Sequence, residues 1–281
     1  MTAPLPADEP TTFKRVSARV CVAVGAVEGE RAASNSTILL GDEATMVVDT
    51  TVAPSLARVV KAEAERLGGR GVAYVLNTHG DPDHLLGNSE FPDAQVVAQR
   101  RVAELLANPS TLAAYQKRLD ALGEGSVRTP DRTFDREMTI PLGGLSVVVT
   151  YVGPAHSVAD SLVWLPEERV LIAADVVFNG LFPLVRDDLA NWKAALAMAL
   201  DLKPLVVIPG HGPVGDAATL NWQLELLERI EARIKEQIAA GAPLATTQES
   251  GVPQDFANLP LAKERWPAAV SCVYRGLADD P

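Results

Sequence analysis

Residues 77–88 read NTHGDPDHLLGN. Two histidines, His79 and His84, and two aspartates, Asp81 and Asp83, crowd into six residues, with Pro82 between the carboxylates. The apolar run GVAYVLNT leads straight into them, so the polar cluster falls where a buried strand ends. Neutral imidazoles and carboxylates are the donors of metal centres, and strand ends are where sites are usually built. In an extended turn, residues two apart face the same way, so positions 79, 81 and 83 can converge. Pro82 stiffens the turn and suits the first position of a helix. Gly80 and Gly87 permit close backbone approach.

The other two of the four histidines occupy similar places. His156 follows a strand in VGPAHSVADS, and His211 follows one in VVIPGHGPVG. Asp175, in LIAADVVF, sits on an apolar strand where an unpaired buried charge is costly. A single histidine of this kind is ordinarily a packing or surface residue. Four at strand ends, beside three aspartates, point to one metal centre.

Around these motifs the chain alternates strands and helices. RVCVAVGAV and STILLGDEATMVVDT are rich in Val, Ile and Thr and are broken by turns, which predicts strands. PSLARVVKAEAERLGG carries Leu56, Val59, Val60 and Leu67 on one helical face and closes on Gly68. Residues 99–122 have helical period, DDLANWKAALAMALDL is a helix, and further helices are expected at about 217–239 and 261–274. A hairpin is expected at Pro166–Arg169. Meanders mixed with strand–helix–strand units imply an α/β protein with two sheets. We expect residues 1–15 to be a disordered or extended arm, and residues 16–281 to be a single domain with the C-terminal helices docked on it.

Length and charge narrow the functions. The 281 residues suffice for a large core. A net charge of −11 argues against nucleic acid or an anionic membrane as partner. No apolar run is long enough to span a bilayer, and the N-terminus lacks a basic segment followed by an apolar one. A cytoplasmic protein acting on a small molecule, as monomer or homodimer, is expected. Cys21 and Cys272 lie far apart in apolar contexts and read as buried thiols rather than a disulfide.

In order, THGDPDH, the His after VGPA, AAD and PGHG resemble the motifs of the metallo-β-lactamase superfamily, as does the strand ending VVDTT. The resemblance implies a four-layer αβ/βα sandwich with a site between the sheets that usually holds two metal ions. It implies a first metal held by His79, Asp81 and His156, a second held by Asp83, His84 and His211, and Asp175 bridging them. A hydroxide between the metals would then attack an ester, thioester, lactone or amide carbonyl, with Asp83, His84 and Asp175 serving the reaction. Asp49 reads equally as the carboxylate that orients a ligand histidine or the motif loop and as a turn cap.

Asp81 departs from the family pattern, which has a histidine there. A carboxylate keeps a ligand of similar reach; alternatively Asp81 caps the helix that Pro82 begins. As a ligand it makes the site less positive by one charge and shifts preference from zinc toward iron or manganese. Zinc remains the expected metal. A di-iron oxidoreductase or oxygenase on the same fold, and a non-catalytic metal-binding module, are the alternatives.

For the substrate the sequence offers little. Phe178, Phe182, Trp164 and Tyr151 can line an apolar pocket, with core packing favoured for the last two. VEGERAASN is a candidate flap, and FNGLFPL a candidate rim loop. No lysine falls between Asp175 and Arg186, and Phe178 stands where lactonases of the family often carry tyrosine. Arg229, Arg233 and Lys235 read as a solvated helix face.

Overall fold

Side-chain alternation along the N-terminal strands decides how the layers form. The computed structural model describes residues 12–28, 31–249 and 251–278. After β1 (Thr12–Arg15) and β2 (Val20–Val24) comes a short ribbon of β3 (Val27–Glu28) and β4 (Arg31–Ala32), then β5 (Ser36–Leu40) and β6 (Thr45–Val48). Val20, Val22, Leu39, Met46 and Val48 face one way, and Cys21, Ala23, Ile38, Leu40 and Val47 the other. Both faces are apolar, so both must be covered.

Helix α1 (Pro54–Gly68) covers the outer face with Ala57, Val60 and Ala64. It starts on Pro54 and ends where Gly69 adopts φ 64°. β7 (Val72–Asn77), α2 (Pro82–Leu85), β8 (Gln95–Gln99), α3 (Arg100–Ala107), α4 (Pro109–Leu122) and β9 (Arg132–Phe134) complete the first half. Its sheet runs β1-β2-β5-β6-β7-β8-β9, antiparallel as far as β6 and parallel beyond.

The second sheet runs in chain order: β10 (Glu137–Pro141), β11 (Ser146–Gly153), β12 (Asp160–Leu165), β13 (Val170–Phe178) and β14 (Val206–His211). Only the last pair is parallel, joined through α5 (Leu189–Asp201). Val147, Val149, Val163, Leu165 and Ile172 meet Leu39, Met46, Val48 and Leu76 of the first sheet in the central core. The outer face packs on α5, α6 (Ala217–Ala239) and α8 (Ala262–Ala278), with Trp192, Leu227, Ile230 and Trp266 buried between. Helix α7 (Leu244–Glu249) joins α6 to α8. The fold is the αβ/βα four-layer sandwich expected.

Two details differ from the sequence reading, and the others agree with it. The helical stretch 99–122 is two helices, because Asn108 turns to ψ 119° ahead of Pro109 and its Oδ1 accepts from Ser110 N to start the second. Thr12–Arg15, assigned to the arm, pair with Val24–Cys21 as an edge strand, while residues 1–11 lie outside the described residues. The expected flap is the β3–β4 ribbon where described. The hairpin at Pro166–Arg169 joins β12 to β13. Cys21 and Cys272 are buried free thiols in separate cores. No helix among the described residues is long and apolar enough to cross a membrane.

Candidate metal centre

The motif loop is fixed by hydrogen bonds before any metal is considered. Asp49, just beyond β6, accepts from Thr78 N on Oδ1 and from Thr78 Oγ1 on Oδ2, both at 2.8 Å. The His84 carbonyl accepts from Thr50 N at 2.8 Å and Asn77 Nδ2 at 3.0 Å. Tyr115 of α4 donates to the Gly80 carbonyl at 2.8 Å. Gly87 lies so close to Thr50 that a Cβ would stand 2.0 Å from its carbonyl oxygen.

Asp175 is aimed by an irregularity in β13. The β13–β14 register shifts on either side of Ala174, whose φ is 47°. Across the sheet, Asn35 ties the first half to β14: its Nδ2 donates to the Pro209 and Gly212 carbonyls at 2.8 and 2.9 Å.

All four histidines use Nδ1 on the scaffold. His79 Nδ1 lies 3.1 Å from Thr78 Oγ1, and His84 Nδ1 lies 2.9 Å from Asp49 Oδ2. His156 and His211 place Nδ1 3.1 Å from the carbonyls of Leu184 and Ala33. With Nδ1–H donated to the scaffold, each Nε2 is turned inward, the usual arrangement for a metal-binding histidine; that of His156 also lies 3.1 Å from Arg186 Nη2. Asp49 is thus the carboxylate that orients a histidine and the motif loop.

The four Nε2 atoms surround Asp175. Its Oδ1 is 3.2 Å from His84, and its Oδ2 is 3.9, 3.4 and 3.4 Å from His79, His156 and His211. Asp81 Oδ2 lies 3.7 Å from His79 and 3.2 Å from His156. Asp83 Oδ2 lies 3.5 Å from His84 and 3.3 Å from His211. All seven candidate residues therefore meet in one place. Within it, His79, Asp81 and His156 form one group of converging donor atoms, and Asp83, His84 and His211 another. Asp83 and Asp81 have side chains 30% and 18% exposed, whereas the other five are at most 4%, so the cluster opens to solvent on the Asp81–Asp83 side.

The histidines and carboxylates of the cluster offset one another's charge. Burial alone would push His211 down, but Asp175 and Asp83 carry it up to about 9. Burial likewise opposes, and the neighbouring carboxylates reverse, the shifts of His79 and His84, which both rise. Asp81, Asp83 and Asp175 are held below the ordinary carboxylate range by the histidines, against burial.

The donors suit divalent metal ions. His79 Nε2, His84 Nε2 and Asp175 Oδ1 are fully buried without a hydrogen-bond partner. The 3.2 Å approach of His84 to Asp175 lacks hydrogen-bond alignment, so it leaves both atoms unsatisfied. Buried polar atoms of this kind need a partner, and a cation among nitrogen and oxygen donors supplies it.

Asp81 makes no cap bond to α2. Its Oδ2 instead accepts from Arg186 Nη2 at 2.5 Å. Arg186 adds a positive charge that the sequence reading of the site did not include, and its distance along the chain hid it. Tyr115 was hidden in the same way. Of the aromatic candidates, Phe178 is buried against the site, stacked on His211 at 5.4 Å. Phe182 is fully buried against Phe256 and Trp266, which makes it core. Trp164 is partly buried against the helical core, and Tyr151 OH donates to the Val158 carbonyl.

A family model described as the metallo-beta-lactamase superfamily matches residues 29–211. The chain belongs to the metallo-β-lactamase superfamily. Members of this superfamily are largely metal-dependent hydrolases, and the fold with its His/Asp cluster implies divalent metal ions. The chain is 27% identical over 176 residues to the 2,4-dinitroanisole O-demethylase subunit alpha of Nocardioides sp. (strain JS1661), covering 61% of this chain and 50% of that protein. It is 26% identical over 204 residues to the beta-lactamase-like protein 2 homolog of Caenorhabditis elegans, covering 72% and 62%. The chain thus spans only part of these relatives. Among solved structures, the metallo-beta-lactamase from Pontibacter korlensis superposes with a TM-score of 0.66 at 23% identity, covering 78% of this chain and 99% of that one. The sec-alkylsulfatase Pisa1 from Pseudomonas sp. superposes with a TM-score of 0.71 at 15% identity, covering 96% and 51%. These two likenesses concern the fold alone.

Proposed function

We propose that the chain is a hydrolase that cleaves an ester, thioester, lactone or amide bond of a small molecule with the help of two metal ions, zinc foremost. His79, Asp81 and His156 would hold the first, Asp83, His84 and His211 the second, and Asp175 both. When bound, such ions make water a nucleophile near neutral pH and polarise a carbonyl oxygen. The observation that carries the reading is the set of four inward Nε2 atoms around one buried carboxylate, Asp175.

The chain's own residues orient the donors and shape the approach. Asp49 fixes the His84 tautomer, and the Ala33 and Leu184 carbonyls fix those of His211 and His156. Phe178 packs its buried ring against His156 and His211 and would hold their orientation. Asp83, the most exposed of the seven, stands at the open side, where it would accept a proton from an incoming water and pass it to the leaving group. The net charge of −11 favours a small molecule over nucleic acid or membrane, and the composition suits the cytoplasm. The extra carboxylate Asp81 favours a second reading, an iron or manganese centre.

Elemental analysis of the purified protein, followed by an ester, thioester, lactone and amide screen, tests both readings. Bound zinc with hydrolysis that Asp175→Asn abolishes supports the first. Tightly bound iron with a visible absorption band and no hydrolysis favours the second. A chain that takes up no divalent metal overturns both.

A further inference from the structure

Asp81 and Arg186 meet at the edge of the cluster from opposite halves of the chain. Arg186 Nη2 lies 2.5 Å from Asp81 Oδ2 and 3.1 Å from His156 Nε2, while its Nε donates to the His156 carbonyl at 3.1 Å. The backbone carrying the arginine is itself clamped: its carbonyl accepts from Arg275 Nη2 at 2.7 Å, and the next carbonyl, of Asp187, accepts from Cys272 Sγ at 3.0 Å. Among the described residues Asp81 is the one carboxylate paired with Arg186. A fixed cation beside a site for dications opposes their binding unless its charge is offset. Here it is offset by the carboxylate it holds.

We propose that Arg186 is the positioning residue of the first metal site, and that Asp81 and Arg186 act there as one unit of zero net charge. The inference rests on the metal centre proposed above. The oxygen that Arg186 holds, Asp81 Oδ2, is the one that faces His156 and His79. A carboxylate oxygen has lone pairs for a guanidinium and for a metal together. Holding Asp81 through the arginine's rigid fork presents that oxygen to the pocket without ordering a free side chain at each binding event. Loss of Arg186 releases the carboxylate. Loss of Asp81 leaves an unpaired cation against the metal. Losing both, with a neutral nitrogen donor at position 81, removes both faults.

The test is a double-mutant cycle on full-length protein: native, Arg186→Met, Asp81→His and the double variant, each titrated with zinc against a chromophoric chelator. Cobalt absorption spectra report the ligand set independently, and melting curves of the metal-free proteins report folding. Arg186→Met and Asp81→His should each weaken the first site about tenfold or more, the scale for losing a residue that supports a ligand. The double variant should return close to native affinity. Asp81→His binding as tightly as native, or Arg186→Met weakening both backgrounds equally, overturns the proposal. Asp81→His keeps the arginine and decides alone should Arg186→Met fail to fold. A native protein that takes up no metal defeats the metal centre itself; a native protein that loads but gives an additive cycle defeats only the pairing.

Discussion

Gly210 leaves room for Asp175: a Cβ on Gly210 would stand 1.8 Å from Asp175 Oδ1 and 2.7 Å from the Ala174 carbonyl carbon. The glycine one residue before His211 in β14 therefore leaves the central carboxylate its place. Gly210→Ala should displace Asp175, cost about 1–3 kcal/mol of stability as an overpacked site, and reduce bound metal. Metal content per folded chain is the measure; a fully loaded Gly210→Ala protein would refute the assignment.

Asp49 answers to a different test. Its carboxylate serves Thr78 and His84 together, so Asp49→Ala should loosen the motif loop and release the His84 tautomer. Metal affinity should drop about 10–100-fold, read by chelator competition, with Asp49→Asn milder because it keeps an acceptor for Thr78. Equal affinities for Asp49→Ala and the native chain would show that the hydrogen bonds do not support the ligand.

The protonation pattern predicts opposite pH responses for metal-free and loaded protein. His79, His84 and His211 hold protons more tightly in the folded state, so their contribution is fully present below the ordinary imidazole value of 6.5. It fades as pH rises through the His211 value of about 9. The depressed carboxylates Asp81, Asp83 and Asp175 add stability that is present above their ordinary value of 3.8 and fades as pH falls further. Metal competes with the same protons and binds more tightly as pH rises. From pH 6.5 to 9 the metal-free melting temperature should fall while the gap to the loaded protein widens. A metal-free melting temperature that climbs over this interval would count against the charged cluster.

Phe182 should behave as core. Phe182→Ala should destabilise by about 3–5 kcal/mol, as buried aromatic truncations do, and leave the KM of the folded fraction unchanged. A KM shift without a loss of stability would return Phe182 to the substrate wall.

Much of this could be read in the sequence, for physical reasons. The Val-rich run RVCVAV and the dense motif at Asn77–Asn88 are local signals, and the structure brings His79, Asp81, Asp83, His84, His156, Asp175 and His211 together as expected. Asn108-Pro109 carried the helix break in plain view, yet the apolar period runs through it. Contacts made only by the fold were hidden. Arg186 gains its meaning from Asp81, over a hundred residues earlier; Gly210 gains its meaning from a neighbouring strand. The choice between cap and orienter at Asp49 turned on the position of His84, which no local pattern fixes.

The donor residues divide between the two halves of the sandwich: His79 through His84 on the first, His156 through His211 on the second. Protein contacts between the halves at this edge include Asn35 on the Pro209 and Gly212 carbonyls. A bound ion would fasten the halves to each other there, as a removable cross-link closing a long loop of chain. Chelation should then do more than silence the site. It should let the edge of the sandwich breathe, and limited proteolysis would find its first cuts in the segments flanking His84 and His211 only after the ions are withdrawn.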